Sequence, residues 1–246
     1  MHSRAEGVAA LRARAYLEML VIGHRGASVA AAENTVQAFV LADAMGADGV
    51  EMDVRLAPDG RLLVKHDPLP TELGDLAGYP ELSDVLAACG DMLVNVEIKN
   101  SADEPGHDPT GAVVEPTIAE MRRHGSIDRW IISSFDWETI ERCRAAAPDI
   151  ATAYLVMKAT ADVIEQTASA GHVAVHPDEE SVTAETVAAC HAAGLAINTW
   201  TCNDPDRLKE LAEWGVDGAC TDVPDIALTA LGRRISPAEV RWETPA

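Results

Sequence analysis

Two short stretches alternate ionisable or polar residues with aliphatic ones. In Val50-Glu51-Met52-Asp53-Val54-Arg55 every second residue is charged, and in Val94-Asn95-Val96-Glu97-Ile98-Lys99 every second residue is polar. Residues two apart on an extended strand share a face. Glu51, Asp53 and Arg55 therefore stand together, as do Asn95, Glu97 and Lys99. Carboxylates converging on one surface repel each other unless a cation sits among them. Oxygen donors select a hard divalent ion, Mg²⁺, Ca²⁺ or Mn²⁺, over zinc. The competing reading is a half-exposed antiparallel sheet with solvated charges. Two such strands inside a repeated strand–helix pattern favour the site.

Histidines adjoin both stretches. His24-Arg25 follows the first apolar run, and His66-Asp67 closes a turn-linked run after Arg55. Two histidines beside a metal suit general acid–base chemistry, one taking a proton and the other giving one to a leaving group. Arg25 and Lys99 supply positive charge for an anionic substrate, with phosphate the obvious candidate. His2, His107, His124, His172, His176 and His191 read as structural. Of these, His176, just before Pro177, is the one placed to line a pocket.

The elements that must position these residues follow from periodicity. Strands are expected at 20–23, 50–55, 62–65, 93–99, 130–133, 151–156, 173–176, 195–201 and 218–221, with Ala-rich helices between them. Asp136, Thr183 and Asp204-Pro205 read as helix starts, and glycines 46, 90, 125, 171, 194 and 215 as helix stops. Eight strand–helix units imply a parallel α/β fold, and a closed (β/α)8 barrel rather than an open doubly wound sheet. The first strand also runs into His24-Arg25-Gly26 instead of a Gly-rich dinucleotide fingerprint. Pro58-Asp59-Gly60 marks 62–65 as a hairpin extension of the second strand. The expected organisation is a helical extension at 1–19, one barrel domain at 20–232 and a tail at 233–246. Active sites of such barrels lie at the C-terminal strand ends, where both histidines and the carboxylates would meet.

Composition narrows the partners. Of 246 residues, 40 are acidic and 19 basic, a net charge of −21 that repels nucleic acid and anionic membrane surfaces. Neither is an expected partner. Cys89, Cys143, Cys190, Cys202 and Cys220 form no C-x-x-C pair, which argues against disulfides or a cysteine zinc site. The apolar run at 19–22 is too short for a secretory or membrane segment, so a cytoplasmic location is expected.

The stretches GHRGASVAAAENTVQAF (23–39) and GADGVEMDVRLAPDGRLLVKHD (46–67) resemble the glycerophosphodiester phosphodiesterase family. VNVEIK (94–99), SSF (133–135), NTWTCND (198–204) and GVDGACTD (215–222) continue the resemblance in order and spacing. It implies a TIM barrel that hydrolyses glycerophosphodiesters to sn-glycerol 3-phosphate and an alcohol with a divalent cation. By this resemblance Glu51, Asp53 and Glu97 hold the metal, His24 and His66 form the acid–base pair, and Arg25 with Lys99 holds the phosphate. Glu33, in the E-N-T motif, is implied as a metal ligand or a neighbour of one. Trp200 is implied as an apolar wall for the glycerol or leaving group. The family route can use the free glycerol hydroxyl as nucleophile, giving a cyclic phosphate that water opens.

One departure stands out. The insertion that family members carry after the H-D motif is reduced here to a short stretch, 69–79. An open, weakly specific mouth is the expectation, with larger phosphodiesters such as lysophospholipids as alternative substrates. A non-catalytic barrel binding phosphate esters is the lesser alternative, since every motif residue is present. A second subunit covering the shortened rim would make the protein a homodimer.

Overall fold

The computed structural model describes residues 18–70, 76–125 and 127–233. Nearly all of the expected N-terminal extension and C-terminal tail lies outside the described residues.

Nine strands run β1 (Leu20–His24), β2 (Gly49–Leu56), β3 (Leu62–Val64), β4 (Leu93–Ile98), β5 (Trp130–Ser134), β6 (Ala151–Val156), β7 (Ala174–Pro177), β8 (Ala196–Thr199) and β9 (Gly218–Thr221). Eight of them pair in parallel in the order β1-β9-β8-β7-β6-β5-β4-β2, and β1 pairs with β2 to close the ring. The chain is thus the expected (β/α)8 barrel. The hairpin is present too: β3 lies antiparallel to β2, with Arg55 opposite Leu63. Its turn closes through Ala57 N to Arg61 O at 2.8 Å.

Helices α1 (Val36–Met45), α2 (Leu82–Ala88), α3 (Val114–Arg123), α4 (Trp137–Ala146), α5 (Ala161–Ala170), α6 (Ala184–Ala192), α7 (Pro205–Trp214) and α8 (Pro224–Ala230) return the chain between strands. The expected caps form. Asp136 accepts from Thr139 N, Thr183 from Thr186 N, and Asp204 from the amides of Asp206 and Arg207 with Pro205 opening α7.

Alternation along the strands sorts the core. Val50, Met52, Val54, Val94, Val96 and Ile98 face outward into one helix-covered apolar layer. Val175, Ile197 and Ala219 do the same on the far side with Leu208 and Leu211. Inside the barrel, Leu20, Ile22, Leu93, Ile131, Ala153, Ala174, Ala196 and Cys220 fill the lower part. Everything polar on the inward faces is thereby pushed to the C-terminal mouth. Strands β3, β4 and β8 end sooner than periodicity predicts, and at the mouth Lys99 and Trp200 lie one residue past β4 and β8. Single ladder bonds still hold them in line, Lys99 N to Val54 O (3.1 Å) and Trp200 N to Pro177 O (3.2 Å).

Candidate active site

Glu51 and Asp53 from β2 and Glu97 from β4 meet inside the mouth. Their ligand oxygens all lie within 4.8 Å of one another, and all three residues are buried. They form the one such cluster among the described residues. The register explains the meeting, since Asp53 stands opposite Glu97 and Glu51 opposite Asn95. Burial and the neighbouring carboxylates push Glu97 up to about 7 and Glu51 well above the usual carboxylate range. Glu51 Oε1 is buried without a hydrogen-bond partner. Three buried carboxylates, with a spare oxygen on Glu51 and raised proton affinity on Glu51 and Glu97, concentrate negative charge that a hard cation would balance, and the donor set fits one.

The loop after β1 supplies one of two cations beside the cluster. Arg25 adopts a left-handed backbone (φ 56°) and is followed by Gly26 (φ 84°). A Cβ on Gly26 would lie 2.6 Å from the Ala38 backbone, so only glycine lets the loop fold this tightly against α1. The turn aims Arg25 N at Glu51 Oε2 (3.0 Å) and brings its guanidinium Nε to 3.3 Å from Asp53 Oδ2. Lys99 Nζ lies 2.8 Å from Glu97 Oε1 and 3.8 Å from Asp53 Oδ1. Burial alone would lower the Lys99 ammonium, but the two carboxylates outweigh it and hold it charged.

Glu33 is not part of the carboxylate cluster. It is exposed, and its Oε2 accepts from Arg25 Nη1 at 2.8 Å. Its neighbour Asn34 makes the buried contact: Nδ2 donates to Asp53 Oδ2 (2.8 Å) and Oδ1 accepts from Asp53 N (3.3 Å). Thr35 then caps α1. The E-N-T motif thus anchors Arg25, Asp53 and a helix in turn.

The two histidines are held differently. His24 Nδ1 donates to Asp222 Oδ1 at 2.7 Å, leaving Nε2, 4.0 Å from Glu51 Oε2, turned to the site. Asp222 also accepts from Ser28 Oγ (3.0 Å) and Asn203 Nδ2 (2.7 Å). Burial opposes its charge, yet these hydrogen bonds prevail and hold the carboxyl at about 2. His66 sits beyond β3, and among the described residues its Nδ1 meets only the exposed Asp67, at 3.0 Å. The sequence reading did not single out Asp222, Asn203 or Asn34. Asp222 shares the inward parity of Cys220 one step past β9, which is the signal that would have found it.

His24, Arg25, Glu51, His66, Glu97, Lys99 and Trp200 all border one recess of about 450 Å³. Its opposite wall is neutral: Phe135, Leu155, His176, Asn198 and Trp200. Trp200 stacks edge-on against Phe135 (5.3 Å between centroids) and donates from Nε1 to His176 O at 2.8 Å. Asn198 Nδ2 donates to His176 Nε2 at 3.0 Å, and burial lowers His176 to about 3, so that ring stays neutral.

A closed barrel with buried carboxylates, two cations and two histidines at its C-terminal mouth has the organisation of a (β/α)8-barrel enzyme. The chain belongs to the glycerophosphoryl diester phosphodiesterase family, whose profile matches residues 24–79 and 70–226. It is 28% identical to a glycerophosphodiester phosphodiesterase of Caldanaerobacter subterraneus subsp. tengcongensis, over 85% of this chain and 96% of that protein. It is 30% identical to one of Bacillus altitudinis, with the same shares covered. In fold it resembles an Oleispira antarctica phosphodiesterase solved in complex with the product sn-glycerol-3-phosphate (TM-score 0.79, 23% identity, 89% and 99% of the two chains). No helix among the described residues is long and apolar enough to cross a membrane.

Proposed function

We propose that the protein is a metal-dependent hydrolase that cleaves glycerophosphodiesters to sn-glycerol 3-phosphate and an alcohol by histidine acid–base catalysis. The observation that carries this reading is the shared recess, bordered by buried carboxylates, two cations and two histidines. Glu51, Asp53 and Glu97 would hold a divalent cation, Mg²⁺, Ca²⁺ or Mn²⁺. Such an ion supplies neutralisation of charge on the phosphoryl oxygens.

The chain's own groups do the rest. Arg25 and Lys99 face the anionic phosphate from two sides and stabilise charge as it grows. His24, with Asp222 fixing its Nδ1 proton, presents a free Nε2 to the recess. His24 and His66 divide the proton work: one takes the proton of the attacking hydroxyl, and the other protonates the departing alkoxide. Trp200 and Phe135 exclude water from the neutral side and pack against the glycerol or the leaving alcohol. The substrate is a small molecule, and the acidic surface keeps nucleic acid out of the site.

A lysophospholipid is the second reading, supported by Val29 and Met157, which are exposed in the loops that follow β1 and β6 at the mouth. The test is release of sn-glycerol 3-phosphate from glycerophosphocholine and glycerophosphoethanolamine. It is run with EDTA, then with Mg²⁺, Ca²⁺ or Mn²⁺ restored, beside a lysophosphatidylcholine arm. Metal-dependent release is expected. A folded protein inactive on every substrate with every ion would sink the reading.

A further inference from the structure

Arg55 shares the inward face of β2 with Glu51 and Asp53, yet it points to neither. Its guanidinium is buried and gripped at both ends. Nε and Nη2 both donate to the backbone carbonyl of His66, at 2.9 and 2.5 Å. Nη2 also donates to Glu104 Oε2 at 2.6 Å, in the loop between β4 and α3.

His66 needs such a grip. His24 has a partly buried carboxylate on its ring, fixed by two further donors, whereas among the described residues the His66 ring has only Asp67, whose side chain is 68% exposed. A solvent-exposed ion pair holds a side chain weakly. His66 also lies past the end of a three-residue strand, one residue beyond the bond from Lys65 N to Asp53 O at 3.0 Å. A planar guanidinium that places two donors on one carbonyl fixes direction as well as distance.

We infer that Arg55 is the positioning residue of His66: it clamps the His66 backbone carbonyl to β2 and, through Glu104, ties that segment to the β4–α3 loop. In a chain whose segment after His66 is reduced, this clamp holds the histidine at the recess. Arg55 does not touch the reacting atoms, and its effect passes through His66. The inference rests on the proposed role of His66 in turnover.

The test compares Arg55→Met, Arg55→Lys and His66→Ala on glycerophosphocholine. A misplaced catalytic group costs up to about a hundredfold, so Arg55→Met should lower kcat by about ten- to a hundredfold with KM within about twofold. Mn²⁺ affinity, followed by electron paramagnetic resonance, should stay at the wild-type value although Asp53 lies two residues away. Arg55→Lys, which keeps one donor and the charge, should recover part of the lost kcat.

Wild-type kcat in Arg55→Met together with an inactive His66→Ala would overturn the clamp alone. Wild-type kcat in His66→Ala would overturn the role of His66 itself. A loss expressed in KM or in Mn²⁺ affinity would make Arg55 a substrate or metal residue instead. If Arg55→Met does not fold, Glu104→Gln, which weakens the outer tether, carries the same readings: a smaller kcat loss at constant KM supports the clamp, and unchanged kcat counts against it.

Discussion

The two halves of the barrel mouth are built from different chemistry. On β1, β2 and β4 the polar residues at the mouth are His24, Glu51, Asp53, Arg55, Asn95, Glu97 and then Lys99; ion pairs join Lys99 to Asp53 and Glu97, while Asn95 Oδ1 and Glu51 Oε1 are buried without a partner. On β5 to β8 the inward residues are Ser133, Leu155, His176 and Asn198, followed by Phe135 and Trp200. One half concentrates charge in a dry space, where each electrostatic contact counts most. The other half offers a wall that neither ionises nor competes for a cation. The proposed reacting centre therefore lies against β2 and β4, with the neutral wall facing it.

The largest effect should come from breaking the charged half at its hub. Asp53 is bonded by Asn34 and lies near both Arg25 and Lys99. Asp53→Asn should lower turnover by about a thousandfold or more, with metal affinity lost alongside; Glu51→Gln and Glu97→Gln should follow it. Thermal shift supplies a pH signature. Glu97 and Glu51 have folded-state affinities for protons above those of an unfolded chain. In metal-free protein Glu97 destabilises the fold as pH rises from about 4.5 through 7, and Glu51 acts in the same direction. A cation among them removes that penalty, so the gain in Tm on adding Mg²⁺ or Mn²⁺ should grow from about pH 5.5 to about pH 8. Glu97→Gln should flatten this growth. A metal-induced gain that shrinks with rising pH would refute it.

Next come the histidines. His24→Ala and His66→Ala should each cost about 10²- to 10⁴-fold in kcat while Tm stays near that of the wild type. Asp222→Asn should cost less than His24→Ala, because the ring remains but its Nδ1 loses a charged acceptor. Steady-state kinetics and a melting curve decide both points. Equal losses for Asp222→Asn and His24→Ala would mean that orientation is the whole of the His24 contribution.

Much of the charged half was legible in the sequence because alternation on a parallel strand is anomalous. A strand buried on both faces should be aliphatic throughout, so Glu51, Asp53 and Glu97 announce themselves. The barrel was legible from eight repeats and their caps. What the sequence hid is pairing between loops. The E-N-T motif pointed to Glu33 as a ligand or neighbour of the metal, whereas Asn34 makes the bond to Asp53, its backbone being left-handed (φ 58°). Asp222 and Asn203 lie 198 and 179 residues from His24, and only ring closure brings β9 beside β1. Arg55 had the correct parity, but nothing in a strand pattern reveals its partner, a carbonyl eleven residues away.

The neutral half should respond through binding rather than turnover. Trp200→Ala removes the ring that packs on Phe135 and should raise KM several-fold while changing kcat little, as expected for contacts equal in ground and transition states. Comparing glycerophosphocholine with glycerophosphoethanolamine would show whether the wall touches the leaving alcohol. A KM increase shared equally by both would place the contact on the glycerol side instead.

The smallest expected effect concerns His176, and it sharpens the contrast because its pH sign is opposite. Burial lowers its folded-state affinity to about 3, against about 6.5 for a free imidazole. Unfolding lets the ring take up a proton, so its contribution to stability is complete above about pH 6.5 and is lost progressively toward pH 3. Glu51 and Glu97 act the other way, favouring the metal-free fold as pH falls. His176→Asn should therefore cost about 1–2 kcal/mol at pH 8 through the lost bond to Asn198 and looser packing, yet lessen the decline in stability below about pH 6.5. Its turnover at pH 8 should fall less than that of any substitution in the charged half. Denaturant melts of metal-free protein at a series of pH values test the sign directly: a variant that loses stability in acid as steeply as the wild type would show that His176 does not set the acid limb, and that the two halves do not oppose each other in this way.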